Sequence, residues 1–131
     1  MGLFNNLFGN NNNTDKKEVK GLPWIPLTSV DQLDEIASKS NDKLQLIFKD
    51  STTCGISRMV KNTLKSSYNL STEEADLYYL DLLSYREVSN ETGVKFQVIH
   101  QSPQLLVIKG GEAVANASHG GITEVDLKSF I

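Results

Sequence analysis

The sequence predicts an α/β domain, a mixed central sheet with helices on both faces. Two observations carry this. Apolar runs, "LQLIFKD" (Leu44 to Asp50) and "DLYYLDLL" (Asp76 to Leu83), alternate with segments of helical periodicity. Continuous apolar runs suit strands covered on both faces. Further on, "QLLVIKGGEAVANAS" (Gln104 to Ser118) holds two strand-like stretches around Gly110 and Gly111. A two-residue Gly-Gly connection is a turn that antiparallel hairpins prefer.

The elements follow in order. "WIPL" (Trp24 to Leu27) is a short extended segment, because Pro26 pushes Ile25 away from helical angles. Ser29 with Gln32 reads as a capping box opening the helix "VDQLDEIASK", with Val30, Leu33, Ile36 and Ala37 on one face. After the first long strand, a helix that follows Cys54 places Ile56, Met59, Val60, Thr63 and Leu64 on one stripe. After the second, Ser84 with Glu87 forms another capping box, and Gly93 marks the end of the helix "YREVSNETG". Beyond the hairpin, Thr123 caps a final helix, "EVDLKSFI". The order β-α-β-α-β-α-β-β-α is thioredoxin-like in topology.

Composition narrows the function. A chain of 131 residues fits one domain with a core of its own, over residues 22–131. Lys and Arg number 13 against 16 Asp and Glu, a net charge of -3 with no basic tract, which argues against nucleic acid as a partner. A single cysteine makes no internal disulfide and suits a reducing compartment, so the cytoplasm is the expected location. Residues 1–21 read as a flexible, Asn-rich extension with neither a signal peptide nor a membrane span. Asn6 stands where a myristoylation pattern has Ser or Thr. The spacing of Leu3, Phe4, Leu7 and Phe8 also fits a weak membrane or partner contact.

Cys54 lies where an apolar strand ends and a helix begins. Free N–H groups and the positive end of the helix dipole favour a thiolate there. Such positions lower a cysteine pKa from about 8.5 to between roughly 3.5 and 7.5, and the thiolate is the nucleophile of disulfide exchange. Thr52 and Thr53 offer hydroxyl donors beside it. The alternative is a small, inert buried residue. Ser57 occupies the place of the second thiol of a Cys-x-x-Cys enzyme, and a hydroxyl cannot resolve a mixed disulfide. It can donate a hydrogen bond to the thiolate. Gly120, Gly121 and Thr123, at the start of the expected last helix, present N–H groups suited to a carboxylate, or form a plain turn. His100 and His119 read as loop residues or as an acid or base. Two histidines and one cysteine make no closed metal site.

The frame "STTCGIS" resembles the monothiol bacilliredoxins, the YtxJ-like family of the bacillithiol system. "GLFNNLFG", "WIPL", "LIFKDSTTC", "YLDLL" and "HQSPQLLVIKGGEAV" agree with it. The resemblance implies a thioredoxin-like enzyme that removes bacillithiol from client proteins by attacking the mixed disulfide with Cys54. The small thiol is then a co-substrate, and no cofactor is tightly bound. By the same resemblance Ser102-Pro103 is the cis-proline segment opposite the cysteine. The family commonly has proline after the cysteine, where this chain has Gly55. That departure brings in the monothiol glutaredoxins, whose Cys-Gly-Phe-Ser motif differs at Ile56 and whose members hold an iron-sulfur cluster between two subunits. Their Gly-Gly-Cys-Asp-Asp motif is represented only by "GGIT" (Gly120 to Thr123). A redox-inert binding module of the same fold is the third reading.

Overall fold

The computed structural model describes residues 22–51 and 55–131, so the 1–21 extension and Thr52, Thr53 and Cys54 lie outside the described residues. Strand β1 (Trp24–Pro26) leads to helix α1 (Asp31–Lys39), strand β2 (Leu44–Asp50) and helix α2 (Gly55–Ser67). Strand β3 (Ala75–Asp81), helix α3 (Arg86–Phe96), strand β4 (Gln104–Lys109) and strand β5 (Glu112–Ser118) follow. The five strands lie in the order β1-β3-β2-β4-β5. β3 pairs in parallel with both β1 and β2, while β4 runs antiparallel to β2 and to β5. This is a thioredoxin-type α/β fold.

The alternation of β2 sorts its side chains between two cores. Leu44, Leu46 and Phe48 join Val60 and Leu64 of α2, with Ile122 and Leu127 from the C-terminal end. Ile47 joins Leu33 and Ile36 of α1 and Val88 and Phe96 of α3 on the other face. Helices therefore cover both faces, which is why β2 is buried at every position. The β4–β5 turn has positive φ at both Gly110 (64°) and Gly111 (82°), the geometry of the two-residue hairpin loop.

Several local expectations change. The Gln32 side chain accepts from the Ser29 backbone N–H at 3.0 Å, but Val30 is the residue that caps α1 and no side-chain cap bond completes the box. The stripe of α2 facing the core is Ser57, Val60 and Leu64, whereas Ile56 and Met59 are exposed. Ser84 does not cap α3. Tyr85 precedes the helix, and the Ser84 hydroxyl donates to Asp81 instead. Gly93 does not end α3, which continues to Phe96 and stops at Gln97 in the left-handed region. A Cβ at Gly93 would lie 2.9 Å from the Val98 carbonyl oxygen, so that glycine serves a close backbone approach rather than a stop.

The expected α-helix after β5 is two 3-10 turns, His119–Glu124 and Leu127–Phe130, separated by the extended Val125. Ile122 and Leu127 are both buried and Val125 packs beside them. Residues 125 and 127 fall on nearly opposite sides of an α-helix, so one helix would not turn both inward. No helix among the described residues is long and apolar enough to cross a membrane.

Candidate functional site

Gly55, the residue after Cys54, begins α2, a helix of 13 residues with no acidic side chain in its first turn. The helix end nearest Cys54 in the chain therefore carries the positive pole without a carboxylate to offset it. Gly55 is exposed, and a Cβ built on it meets nothing within 4 Å.

Ser57 is 1% exposed, and its Oγ accepts a hydrogen bond from the Ser51 backbone N–H at 3.4 Å. This ties the first turn of α2 to the chain leaving β2, bracketing residues 52–54 on both sides. A hydroxyl that accepts one hydrogen bond keeps its own proton to donate.

Below this turn lies a group of polar and aromatic residues. Asp50 ends β2 at 3% exposure, with one carboxylate oxygen accepting from the Tyr79 hydroxyl at 2.5 Å and the other, Oδ1, buried without a partner among the described residues. Burial first, and then the Asp50 bond and charge, push the Tyr79 phenol pKa well up, so it stays a donor. The Tyr79 ring lies against Trp24 at 5.5 Å between centroids, and Lys61 of α2 stands 4.4 Å from its centroid. Such a cation–π contact contributes about 0.5–1 kcal/mol at an exposed site. Lys61, Tyr79 and Asp50 thus link α2 to the last residue of β2.

Pro103 is buried, and its peptide bond with Ser102 is cis. The Pro103 carbonyl accepts from the His119 N–H at 3.0 Å, which fastens this segment to the end of β5. The Ser102 hydroxyl oxygen is buried without a partner among the described residues.

Gly120, Gly121 and Thr123 sit in the first 3-10 turn, where the Thr123 hydroxyl donates to the Gly120 carbonyl at 3.1 Å. Thr123 lines a small cavity of about 80 Å³ with Leu64 and Ser67, at the C-terminal end of α2. That end is roughly 18 Å along the helix axis from Gly55. The α-helical start expected at these residues is absent, and the structure does not bring Thr123 to the first turn of α2.

The sequence reading passed over Lys49, Asp50, Tyr79 and Gln104. The signal was a Lys-Asp pair inside a strand predicted to be covered on both faces, where any charge needs a partner. Among the described residues no group of three His, Cys, Asp or Glu side chains is placed to hold a metal ion.

The sequence profile of the monothiol bacilliredoxin BrxC matches residues 25–127. The chain belongs to the monothiol bacilliredoxin family. A solved structure described only as a candidate oxidoreductase with a thioredoxin fold shares 31% identity, covering 81% of this chain and 91% of its own at a TM-score of 0.68. The thioredoxin of Schistosoma mansoni shares 22% identity over 82% of this chain and 95% of its own, at a TM-score of 0.62. That of Malassezia sympodialis shares 19% over 84% and 88%, at 0.63. The two thioredoxins are alike in fold alone. For this bacilliredoxin, family and fold together support a thiol redox function, and the described geometry places a helix start directly after the one cysteine.

Proposed function

We propose that the protein is a monothiol thiol–disulfide oxidoreductase that takes bacillithiol from mixed disulfides on client proteins. The Cys54 thiolate attacks the bacillithiol sulfur. A new Cys54–bacillithiol disulfide forms, the client–bacillithiol disulfide breaks, and the electron pair leaves with the client thiolate, which takes a proton. A second small thiol then attacks the adduct and restores Cys54, becoming part of a new disulfide itself. Bacillithiol is a co-substrate, and the reaction assigns no resident cofactor.

The observation that carries this reading is membership of the monothiol bacilliredoxin family over residues 25–127. The first turn of α2, which carries no acidic side chain, supports a thiolate at the preceding residue, and Ser57 at the resolving position supports a one-cysteine cycle. Thr52, Thr53 and Gly55 flank the nucleophile, and the Ser102–Pro103 segment is assigned to receive the client. The reducing cytoplasm is the compartment in which this chemistry is useful.

Mass spectrometry of the protein isolated from oxidatively stressed native cells tests the substrate. A bacillithiol adduct on Cys54 is expected. Another thiol's mass at Cys54 would change the co-substrate, and an unmodified cysteine would count against the reaction.

A further inference from the structure

Lys49 is the third-from-last described residue before Gly55, and it is wholly inaccessible to solvent. It shares the face of β2 that bears Ile47, away from Asp50 and α2. Its Nζ donates to the Ser89 carbonyl in α3 at 3.3 Å and lies 3.3 Å from His100 Nδ1. The salt bridges among the described residues join Lys43 to Asp76, Lys95 to Asp34 and Lys128 to Glu74, so no carboxylate neutralises Lys49. A buried ammonium costs several kcal/mol unless its donors find acceptors. An ammonium only donates, so His100 Nδ1 is the acceptor and the imidazole proton sits on Nε2.

Gln104 grips the same segment from the neighbouring strand. It stands opposite Lys49 in the β2–β4 register and is fully buried. Its Nε2 donates to the Ile99 carbonyl at 3.0 Å, and its Oε1 accepts from the Gln101 N–H at 3.4 Å. Residues 99–101 have little apolar anchorage of their own, since Ile99 is 83% exposed and His100 and Gln101 are also exposed. Two buried polar side chains therefore set the course of the chain into Ser102 and Pro103.

We propose that Lys49 is a positioning residue for thiol exchange: through the neutral imidazole of His100 it holds residues 99–102 in the conformation that receives the client disulfide. The inference rests on the thiol-exchange reading for its consequence, but the Lys49–His100 latch stands on geometry alone. It also makes the segment sensitive to pH. Protonation of His100 removes the acceptor and sets an imidazolium against the Lys49 ammonium. Burial first, then the charges of Lys49 on β2 and Arg86 at the start of α3, lower the His100 pKa from its ordinary 6.5. Between the folded value and the unfolded one the unfolded chain binds more protons, so the latch is complete above about pH 6.5 and is lost as pH falls through the folded value.

The test uses the full chain. His100 is titrated by NMR in wild type and in Lys49→Met while the amides of residues 98–102 are followed. Those amides should titrate with His100, and Lys49→Met should raise the His100 pKa. Exchange is measured with a bacillithiol mixed disulfide of a cysteine peptide. His100→Ala should raise KM about tenfold with little change in kcat, His100→Gln should recover most of that loss by again offering Lys49 an acceptor, and only wild type should show the His100 step in its pH profile. If Lys49→Met does not fold, the two His100 variants decide the matter alone. Wild-type protein inert toward the probe would sink the thiol-exchange reading and, with it, the positioning role. An active wild type whose His100→Ala and His100→Gln variants match it in KM and pH profile overturns the Lys49 inference while leaving the exchange reading intact.

Discussion

The Tyr79 hydroxyl donates to the Asp50 carboxylate at 2.5 Å, and among the described residues that bond supplies the only side-chain partner of a carboxylate that is 3% exposed. Replacing the tyrosine leaves a buried carboxyl oxygen without that donor. Tyr79→Phe should therefore lower the free energy of unfolding by about 1–3 kcal/mol, measured by urea denaturation. In an Asp50→Leu background the same change should cost almost nothing, because the hydroxyl then has no acceptor to serve. Equal costs in both backgrounds would show that the two residues act independently.

Gly55 begins α2 with open space where a Cβ would stand, and its φ is not in the left-handed region. None of the described residues requires glycine there. Gly55→Ala should stabilise the protein by about 0.4–1 kcal/mol, mainly by restricting the unfolded chain, and a melting curve would register the gain. A loss of stability would mean that the helix start uses the freedom of glycine.

Lys49 has its pKa pushed down to about 8 from 10.5 by burial. The folded value lies below the unfolded one, so between pH 8 and 10.5 the unfolded chain holds more protons and stability rises with pH. The difference in unfolding free energy between wild type and Lys49→Met should grow in favour of wild type by on the order of 2 kcal/mol across that window. Other groups titrate in both proteins and cancel. A difference that stays flat with pH would mean that Lys49 is not buried as an ammonium.

Ser57 occupies the resolving position, and its hydroxyl binds the Ser51 N–H. A thiol there would do what the hydroxyl cannot. Ser57→Cys should shorten the life of a Cys54 adduct at least tenfold in the absence of added thiol, followed as release of the small thiol by mass spectrometry. An adduct as long-lived as in wild type would mean that the two sulfurs do not reach bridging distance.

What the sequence made legible was local or periodic. β2 was readable over Leu44–Asp50 because seven successive positions face a covered sheet, and the hairpin because Gly110 and Gly111 both need positive φ. What it hid depends on contacts distant in the chain. Gly93 looked like a helix end, yet its role is to let the Val98 carbonyl approach. The C-terminal segment looked helical, yet burial of Ile122, Val125 and Leu127 against the α2 face requires a break between two 3-10 turns. At the candidate site, Ser57 was visible from its spacing to Cys54. Lys49 and Asp50 were read as strand residues, because only the folded sheet sends them to opposite faces, one toward His100 and the other toward Tyr79.

The central claim is that Cys54 alone accepts the small thiol. It is tested most directly by mixing thiol-free protein with a bacillithiol mixed disulfide of a cysteine peptide and following intact mass with time. Wild type should take up one bacillithiol on Cys54 far faster than free cysteine does, hold it until thiol is added, and remain colourless. Cys54→Ser should take up none. Uptake no faster than that of free cysteine would contradict the account and leave a redox-inert binding module, and a protein that purifies with iron-sulfur absorption lost in Cys54→Ser would instead make it a cluster carrier.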